Sequence, residues 1–286
     1  MHKSLTLVTA LALGALLTSS ASADTIYNNL TPNNLIGIAS RTDQPGAFEI
    51  EAADDFLLLS SAKITSASFT GLLVPRSGGT LGIAEIVIEI YRVFPKDSDT
   101  GRTPHVPTRA NSPSDVAFAS RDSAASGLTF LTSLLAGTFT ALNSVQPGGI
   151  HPSPNQTTGG NGPITGQEVQ FDVNFNTPFD LPADHYFFVP QVLLTNGGQF
   201  YWLSASRPIS GVGTTPFSPD LQAWTRDASL DPDWLRVGMD IVGGNTPPTF
   251  NAAFSLSGTS VPEPSTTFVL MAGLALMGLR KYRASR

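Results

Sequence analysis

The 286-residue sequence contains no cysteine, only four histidines and no uninterrupted apolar run of bilayer-spanning length. Without cysteine the protein has no disulfide bond, no thiolate nucleophile, no cysteine-ligated zinc and no acylated lipoprotein cysteine. Basic side chains are also scarce, because residues 24–264 carry 11 of them against 22 acidic ones, a net charge of −11. Such a body repels phosphate backbones, which argues against nucleic-acid binding. The 41% hydrophobic content is that of a soluble globular protein.

The N-terminus has the parts of a secretory signal peptide. Lys3 precedes an apolar run over residues 5–17, and small residues follow up to Ala23. A buried core helix or a membrane anchor is the alternative, but the run is shorter than the roughly 20 residues that a membrane span needs. We therefore predict that residues 1–23 direct export through the Sec machinery and are cleaved after Ala23.

The C-terminus has three parts in a fixed order. Pro262, Glu263 and Pro264 are followed by an apolar stretch over residues 268–279 and then by a basic tail. The basic residues of the tail are Arg280, Lys281, Arg283 and Arg286. The two prolines favour an extended segment, and the cations favour the cytoplasmic side of a membrane. As a helix, the apolar stretch is about 18 Å long against a hydrocarbon core of about 30 Å, which suits a transient anchor.

This tripartite tail resembles the PEP-CTERM sorting signal of Gram-negative bacteria, and the resemblance covers residues 261–286. It implies export, transient anchoring in the inner membrane through a short transmembrane helix, cleavage near the Pro-Glu-Pro motif by an exosortase-type membrane protease, and release to the cell surface or the extracellular matrix. An ordinary tail-anchored membrane protein is the alternative. The resemblance identifies how the chain is handled and not what its body does.

Between residues 24 and 258 the pattern is that of short strands. Residues 83–93 and 169–175 alternate between apolar and polar side chains, and Gly, Pro, Asn and Asp punctuate the gaps. Further strand candidates are residues 47–50, 55–59, 64–72, 186–194, 200–204, 222–225, 239–242 and 252–256. We predict one all-β domain over residues 24–258, a β-sandwich of jelly-roll type. It is flanked by the signal helix and by the sorting signal over residues 259–286 with its hydrophobic helix.

Three segments of the body are irregular or ambiguous. Residues 127–136 fit a short helix and a strand equally well. Residues 95–115 and 146–166 are rich in proline or glycine, and we expect them to be long surface loops.

No catalytic signature is present among the nucleophile, metal and phosphate motifs. His105, His151 and His185 are scattered, which favours ordinary structural roles. Paired carboxylates could hydrolyse glycosides if they face each other across a cleft, but the sequence does not measure their separation. A noncatalytic protein is therefore favoured, with a secreted polysaccharide hydrolase as the alternative.

Two acidic groups could each hold one calcium ion weakly. Asp97 and Asp99 precede Gly101 in a D-x-D-x-G pattern that lacks the later ligands of a full calcium loop. The second group consists of Asp227, Asp231 and Asp233. Solvated loop acids are the more common explanation for both groups.

The segment Ala53-Asp54-Asp55-Phe56 resembles an early strand of other exported sandwich proteins with this tail, a set without an established activity. We expect Phe56 in the core and the two acids at the sheet rim, as turn residues before a strand.

Four aromatic residues in the C-terminal third could stack on sugar rings: Tyr201, Trp202, Trp224 and Trp234. Adjacent Tyr201 and Trp202 must point to opposite faces of a strand, so we expect at most one of them in the core. Burial in the core is the more common state for each ring. The sequence thus predicts an exported surface or matrix protein associated with exopolysaccharide or biofilm, with a carbohydrate-binding module as the more specific alternative.

Overall fold

The computed structural model describes residues 24–76, 81–106, 109–148, 150, 157–205, 220–245 and 249–261. The predicted signal peptide, His151, and the tail from Pro262 onward lie outside these ranges. Among the described residues, we find no helix with the length and apolar character needed to span a bilayer. The predicted span over residues 268–279 is not among them.

Within the described ranges, 14 strands form two sheets. The strands are β1 Asp24–Asn28, β2 Pro32–Ala39, β3 Ile50–Leu58, β4 Ala62–Val74, β5 Ile83–Arg92, β6 Ala119–Asp122, β7 Leu128–Ala141, β8 Asn143–Val145, β9 Ile164–Leu181, β10 Asp184–Leu194, β11 Gln199–Ala205, β12 Trp224–Asp227, β13 Leu235–Arg236 and β14 Phe254–Ser260. The eight-stranded sheet has the order β1-β14-β4-β11-β2-β8, with β9 also pairing β4 and β7 pairing β9. The six-stranded sheet has the order β13-β12-β3-β10-β5-β6. The predicted all-β class with two sheets is confirmed, whereas the jelly-roll winding stays a prediction.

Aromatic side chains fill the space between the two sheets. Phe188 on β10 stacks on Phe254 of β14 with ring centroids 5.0 Å apart, and the Trp202 ring of β11 lies 6.0 Å from Phe188. Buried indole and phenyl rings contribute large apolar areas, and tilted or offset pairs add to that burial. The core therefore forms where alternate residues of β10, β11 and β14 face each other.

The six-stranded sheet also has a covered outer face. Its central strands β3 and β10 are buried on both sides; β10 has the nearly continuous apolar stretch that favours such burial, whereas β3 carries Glu51, Asp54 and Asp55. A second apolar cluster lies there, formed by Ala53, Tyr91, Phe187, Val189, Leu221, Trp224 and Trp234. The chain between β5 and β6 crosses this face, where the carbonyl of Ser114 accepts a hydrogen bond from the Trp234 indole at 3.2 Å. Arg102 of that segment also forms an ion pair with the buried Asp233.

In two segments the structure adds to or corrects what the sequence pattern predicted. Of the ambiguous residues 127–136, all but Gly127 lie in strand β7. The strand predicted over residues 239–242 is wrong, because Val237–Val242 form a π-helical turn. Asp240 accepts a hydrogen bond from the Arg236 amide at 2.8 Å, a local side-chain contact at the start of this turn.

Candidate functional site

The two ends of the described body leave it side by side. β1 pairs antiparallel with β14, and Asp24 is opposite Gly258 in the register. The Val261 amide then donates to the Ser61 carbonyl at 2.7 Å, and the Val261 side chain is half exposed. A cavity of about 240 Å³ lies at this edge, lined in part by Asp24, Leu58 and Ser260. The predicted cleavage site of the signal peptide and the start of the sorting tail therefore meet at one surface.

The four rings predicted to stack on sugars are all buried. Trp202 lies between the sheets, and its indole donates to the Ala253 carbonyl at 2.9 Å. Trp224 and Trp234 belong to the apolar cluster on the outer face of the six-stranded sheet. No ring of this set presents a flat face to solvent.

The expectation that Tyr201 or Trp202 lies at the rim is wrong, although the two side chains do point to opposite faces of β11. Tyr201 lies on the face away from Trp202, next to Gly37 of β2, and Ile164 at the start of β9 lies beside the same glycine. Because β9 begins over this face, the Tyr201 ring is covered as well, and burial raises its pKa to about 12. A Cβ at position 37 would approach the Tyr201 Cβ to 3.2 Å, so the close approach favours glycine there.

The placement of Asp54 and Asp55 at the sheet rim is also wrong. Both lie within β3 and are fully buried, and Phe56 lies in the core as expected. Asp54 Oδ2 accepts from the Ala252 amide at 2.8 Å, and Asp55 Oδ1 accepts from the Leu221 amide at 3.0 Å. Asp55 Oδ2 is also 2.5 Å from His185 Nε2. The two carboxylates thus bind groups that come from distant parts of the chain.

A network of charged side chains lies on the outer face of the six-stranded sheet. Arg226 of β12 forms a buried ion pair with Glu51 of β3, and its Nη2 donates to the Tyr91 hydroxyl at 2.8 Å. The Tyr91 hydroxyl oxygen is 2.7 Å from Glu51 Oε1 and 3.0 Å from Glu89 Oε2. The Arg226 guanidinium also lies over the Trp234 ring, 4.3 Å from its centroid. One phenol therefore joins two carboxyl groups beside one buried cation.

The protonation of these groups follows from their surroundings. Burial, together with the charge of Glu51, raises the pKa of Glu89 to about 8, so Glu89 is largely neutral at pH 7. A phenol has one proton to donate, and the neutral Glu89 carboxyl has another. Tyr91 can therefore donate to Glu51 while it accepts from Glu89. Burial opposes the charge on Arg226, but the adjacent Glu51 outweighs that effect and raises the pKa of Arg226.

This network was not predicted from the sequence. One local pattern could have indicated it: Glu49 and Glu51 are two positions apart, and Glu85 and Glu89 are four positions apart, in segments with a strand pattern. Such spacing places the members of each pair on the same face of a sheet. Gln191 of the intervening β10 donates to Glu49 at 2.7 Å on that face. The partner Arg226, 175 positions away from Glu51 in the chain, had no local signal.

The acidic groups considered for calcium bind other protein groups. Asp97 forms an ion pair with Arg92 at 3.5 Å, and Asp99 accepts from the Gly101 amide at 3.0 Å. Asp231 forms an ion pair with Arg226, and Asp227 accepts from the Ser229 hydroxyl at 2.6 Å. In the part of the chain that the structure describes, no group of three or more His, Cys, Asp or Glu residues is arranged to hold a metal. Weak calcium binding at Asp97 and Asp99 stays a prediction.

Strand β7 presents apolar side chains to solvent. Leu131 is 73% exposed and Leu134 is 62% exposed, and Leu135 is about half exposed. In the described residues β7 pairs only with β9, so its other edge has no strand partner. The strand contains no charged residue and no proline over its 14 residues. The edge thus lacks the charges and prolines that often keep strands of different molecules apart, although its register with β9 shifts between Leu134 and Ala136 and between Ala136 and Phe139.

Comparison with known proteins identifies the tail. The model of the PEP-CTERM protein-sorting motif matches residues 260–284, beginning at the last residue of β14. The chain therefore carries a PEP-CTERM sorting motif, which implies exosortase-dependent export and sorting to the cell surface. No curated protein and no solved structure matches the chain significantly.

Proposed function

We propose that the body is a noncatalytic component of the cell surface or the extracellular matrix, associated with exopolysaccharide. The observation that supports this most directly is the pairing of β1 with β14, which brings both ends of the body to one edge. A tail that leaves from this edge holds the body by one side and presents the opposite side outward. Val261, the last residue before the Pro-Glu-Pro motif, is half exposed, which supports access of a membrane protease to that motif.

Mass spectrometry of the protein released by producing cells tests the sorting step. The released chain should begin at Asp24 and end near Pro264. A variant with Pro262→Ala, Glu263→Ala and Pro264→Ala should keep its tail and stay with the inner membrane. Pro45→Ala, which changes an exposed proline in a turn of the body, serves as the control and should be processed normally. Release of a chain that still ends at Arg286 would contradict transient anchoring.

Exopolysaccharide association has a separate test. The purified protein should sediment with exopolysaccharide isolated from the producing cells and stay in the supernatant without it. The carbohydrate need not contact the four predicted rings, because those rings are buried. If the protein remains in the supernatant at every polysaccharide concentration, its association with exopolysaccharide is refuted, whereas its location at the cell surface is not.

The apolar edge of β7 is the surface through which copies of the protein would associate. Two β7 strands can pair antiparallel without bringing any charged side chains of the two strands together, although each body is acidic overall. The exposed leucine side chains of β7 would then be buried against the partner strand and removed from water, on both faces of the new strand pair. Such pairing is a two-fold contact that joins two copies into a closed dimer through the edge opposite β1.

A secreted hydrolase is the alternative, and Glu51, Tyr91 and Glu89 are the observation that favours it. A neutral carboxyl beside an ionised one is the pair that glycoside hydrolysis requires. If this pair acts on polysaccharide, Glu89→Gln should abolish the release of reducing sugar. Glu85→Gln, on the same strand and the same face, should leave that release unchanged. No release by the unaltered protein would exclude this alternative for the polysaccharide tested.

A further inference from the structure

We propose that Asp220, Gln222 and Asn251 form part of a buried calcium site. All three side chains are at least nine-tenths buried, and they are joined through one carboxylate oxygen. Asp220 Oδ1 accepts from Gln222 Nε2 at 2.6 Å and from Asn251 Nδ2 at 2.9 Å. The other oxygen of each group, namely Asp220 Oδ2, Gln222 Oε1 and Asn251 Oδ1, has no hydrogen-bond partner among the residues that the structure describes.

The orientation of the two amides follows from hydrogen-bond chemistry. An ionised carboxylate only accepts, so each amide must turn its NH₂ group toward Asp220 and its oxygen away from it. Turning either amide over would bring two acceptors together. The three unpartnered oxygens are thus a consequence of the contacts with Asp220 and not an arbitrary choice of rotamer.

A cation satisfies these oxygens better than water does. All three are acceptors, while a water molecule has only two protons to donate. Among the described residues, no lysine, arginine or histidine lies within ion-pair distance of Asp220. A buried carboxylate is costly unless it is paired, hydrogen-bonded or bound to a metal. A metal ion would supply both the missing charge and the missing contacts.

The donor set favours calcium over other ions. Carboxylate and amide oxygens are hard ligands, and calcium accepts six to eight of them in an irregular arrangement. Magnesium requires near-octahedral geometry and keeps several waters, which a site buried among three side chains cannot easily hold. Asp54 is a neighbouring carboxylate, since its Oδ2 accepts from the amide of Ala252, the residue after Asn251. Export also takes the body to a compartment where calcium is available at the concentrations that extracellular modules bind.

Thermal unfolding of the full chain tests the site. With calcium at saturation the melting temperature should rise by about 5 °C or more over its value in a chelator, and the rise should saturate. Asp220→Asn should lose this rise and should melt no lower than the unaltered protein in chelator, because it removes an uncompensated charge. A role for Asp220 only as a hydrogen-bond acceptor predicts a lower melting temperature in both conditions. Asp43→Asn, which removes an exposed carboxylate away from the acidic groups considered for calcium, is the control and should keep the full calcium response.

Asn251→Asp is a second variant with the opposite expected sign. It adds a carboxylate, so it should melt lower than the unaltered protein in chelator and show a larger rise with calcium. Calorimetric titration with calcium should give one strong site in the unaltered protein and none in Asp220→Asn. The proposal is overturned if calcium leaves the melting temperature of the unaltered protein unchanged. It is also overturned if Asp220→Asn responds fully, or if magnesium or sodium gives the same saturable rise as calcium.

Discussion

Substitution of Arg226, on the outer face of the six-stranded sheet, should strongly lower the stability of the protein. Arg226→Met leaves Glu51 buried without its cation, so it should lower the free energy of unfolding by about 3–5 kcal/mol. Adding Glu51→Gln should recover much of that loss, because the uncompensated charge is then absent. Urea-induced unfolding of the two variants measures both effects.

The partner Asp231 provides the control for this comparison. Its carboxylate also contacts Arg226, at 2.8 Å, but it is 55% exposed. Asp231→Asn should change the unfolding free energy by less than about 1 kcal/mol, as exposed ion pairs contribute little. Equal losses for Asp231→Asn and Arg226→Met would contradict the assignment of the buried pair to Glu51.

Glu89 should give the protein an unusual pH dependence. Its pKa is about 8 in the folded protein and near 4.5 in the unfolded chain, so between these values the folded state binds more protons. The contribution of Glu89 to stability is therefore full below about pH 4.5 and is lost as the pH rises toward 8. Glu89→Gln should flatten this part of the profile and be relatively more stable at pH 8. Melting temperatures of both proteins from pH 5 to 8 measure the difference, and parallel profiles would show that Glu89 is not the group that titrates.

At the scale of elements, β7 should control association between copies. Leu131→Lys combined with Leu134→Lys places positive charges along the exposed strand, so two copies would repel each other at this edge. Light scattering should show larger assemblies for the unaltered protein and single copies for the variant. Leu59→Lys changes another exposed leucine outside β7 and should leave the assembly size unchanged. Single copies for the unaltered protein at high concentration would refute pairing through β7.

The strands differ in how far the sequence predicted them. β5 and β9 were predicted because their side chains alternate, which is a local property of the chain. Residues 127–136 were ambiguous because leucine favours a helix whereas threonine favours a strand, and pairing with β9 decides the outcome. The burial of Asp54 and Asp55 was beyond local patterns, since it depends on partners from elsewhere in the chain, the amides of Ala252 and Leu221. The contact of Glu51 with Arg226 is of the same non-local kind.

At the scale of the whole molecule, residues 24–258 should unfold as one unit, as the predicted single domain requires. Phe188 of one sheet and Phe254 of the other are stacked, so neither sheet keeps its core when the other opens. Melting curves from tryptophan fluorescence and from circular dichroism should coincide. In a Trp202→Phe variant the fluorescence comes only from Trp224 and Trp234 on the outer face. A separate transition in that variant would indicate two domains.

The position of β14 has a mechanical consequence. Its seven residues lie between β1 and β4, and a tether that continues from Ser260 pulls along the strand. Tension in that direction loads the hydrogen bonds on both sides of β14 together, as shear, and does not open them one after another as unzipping would. As long as the chain is still anchored through its tail, a pull on the body would thus act in the direction in which the strand resists extraction most strongly.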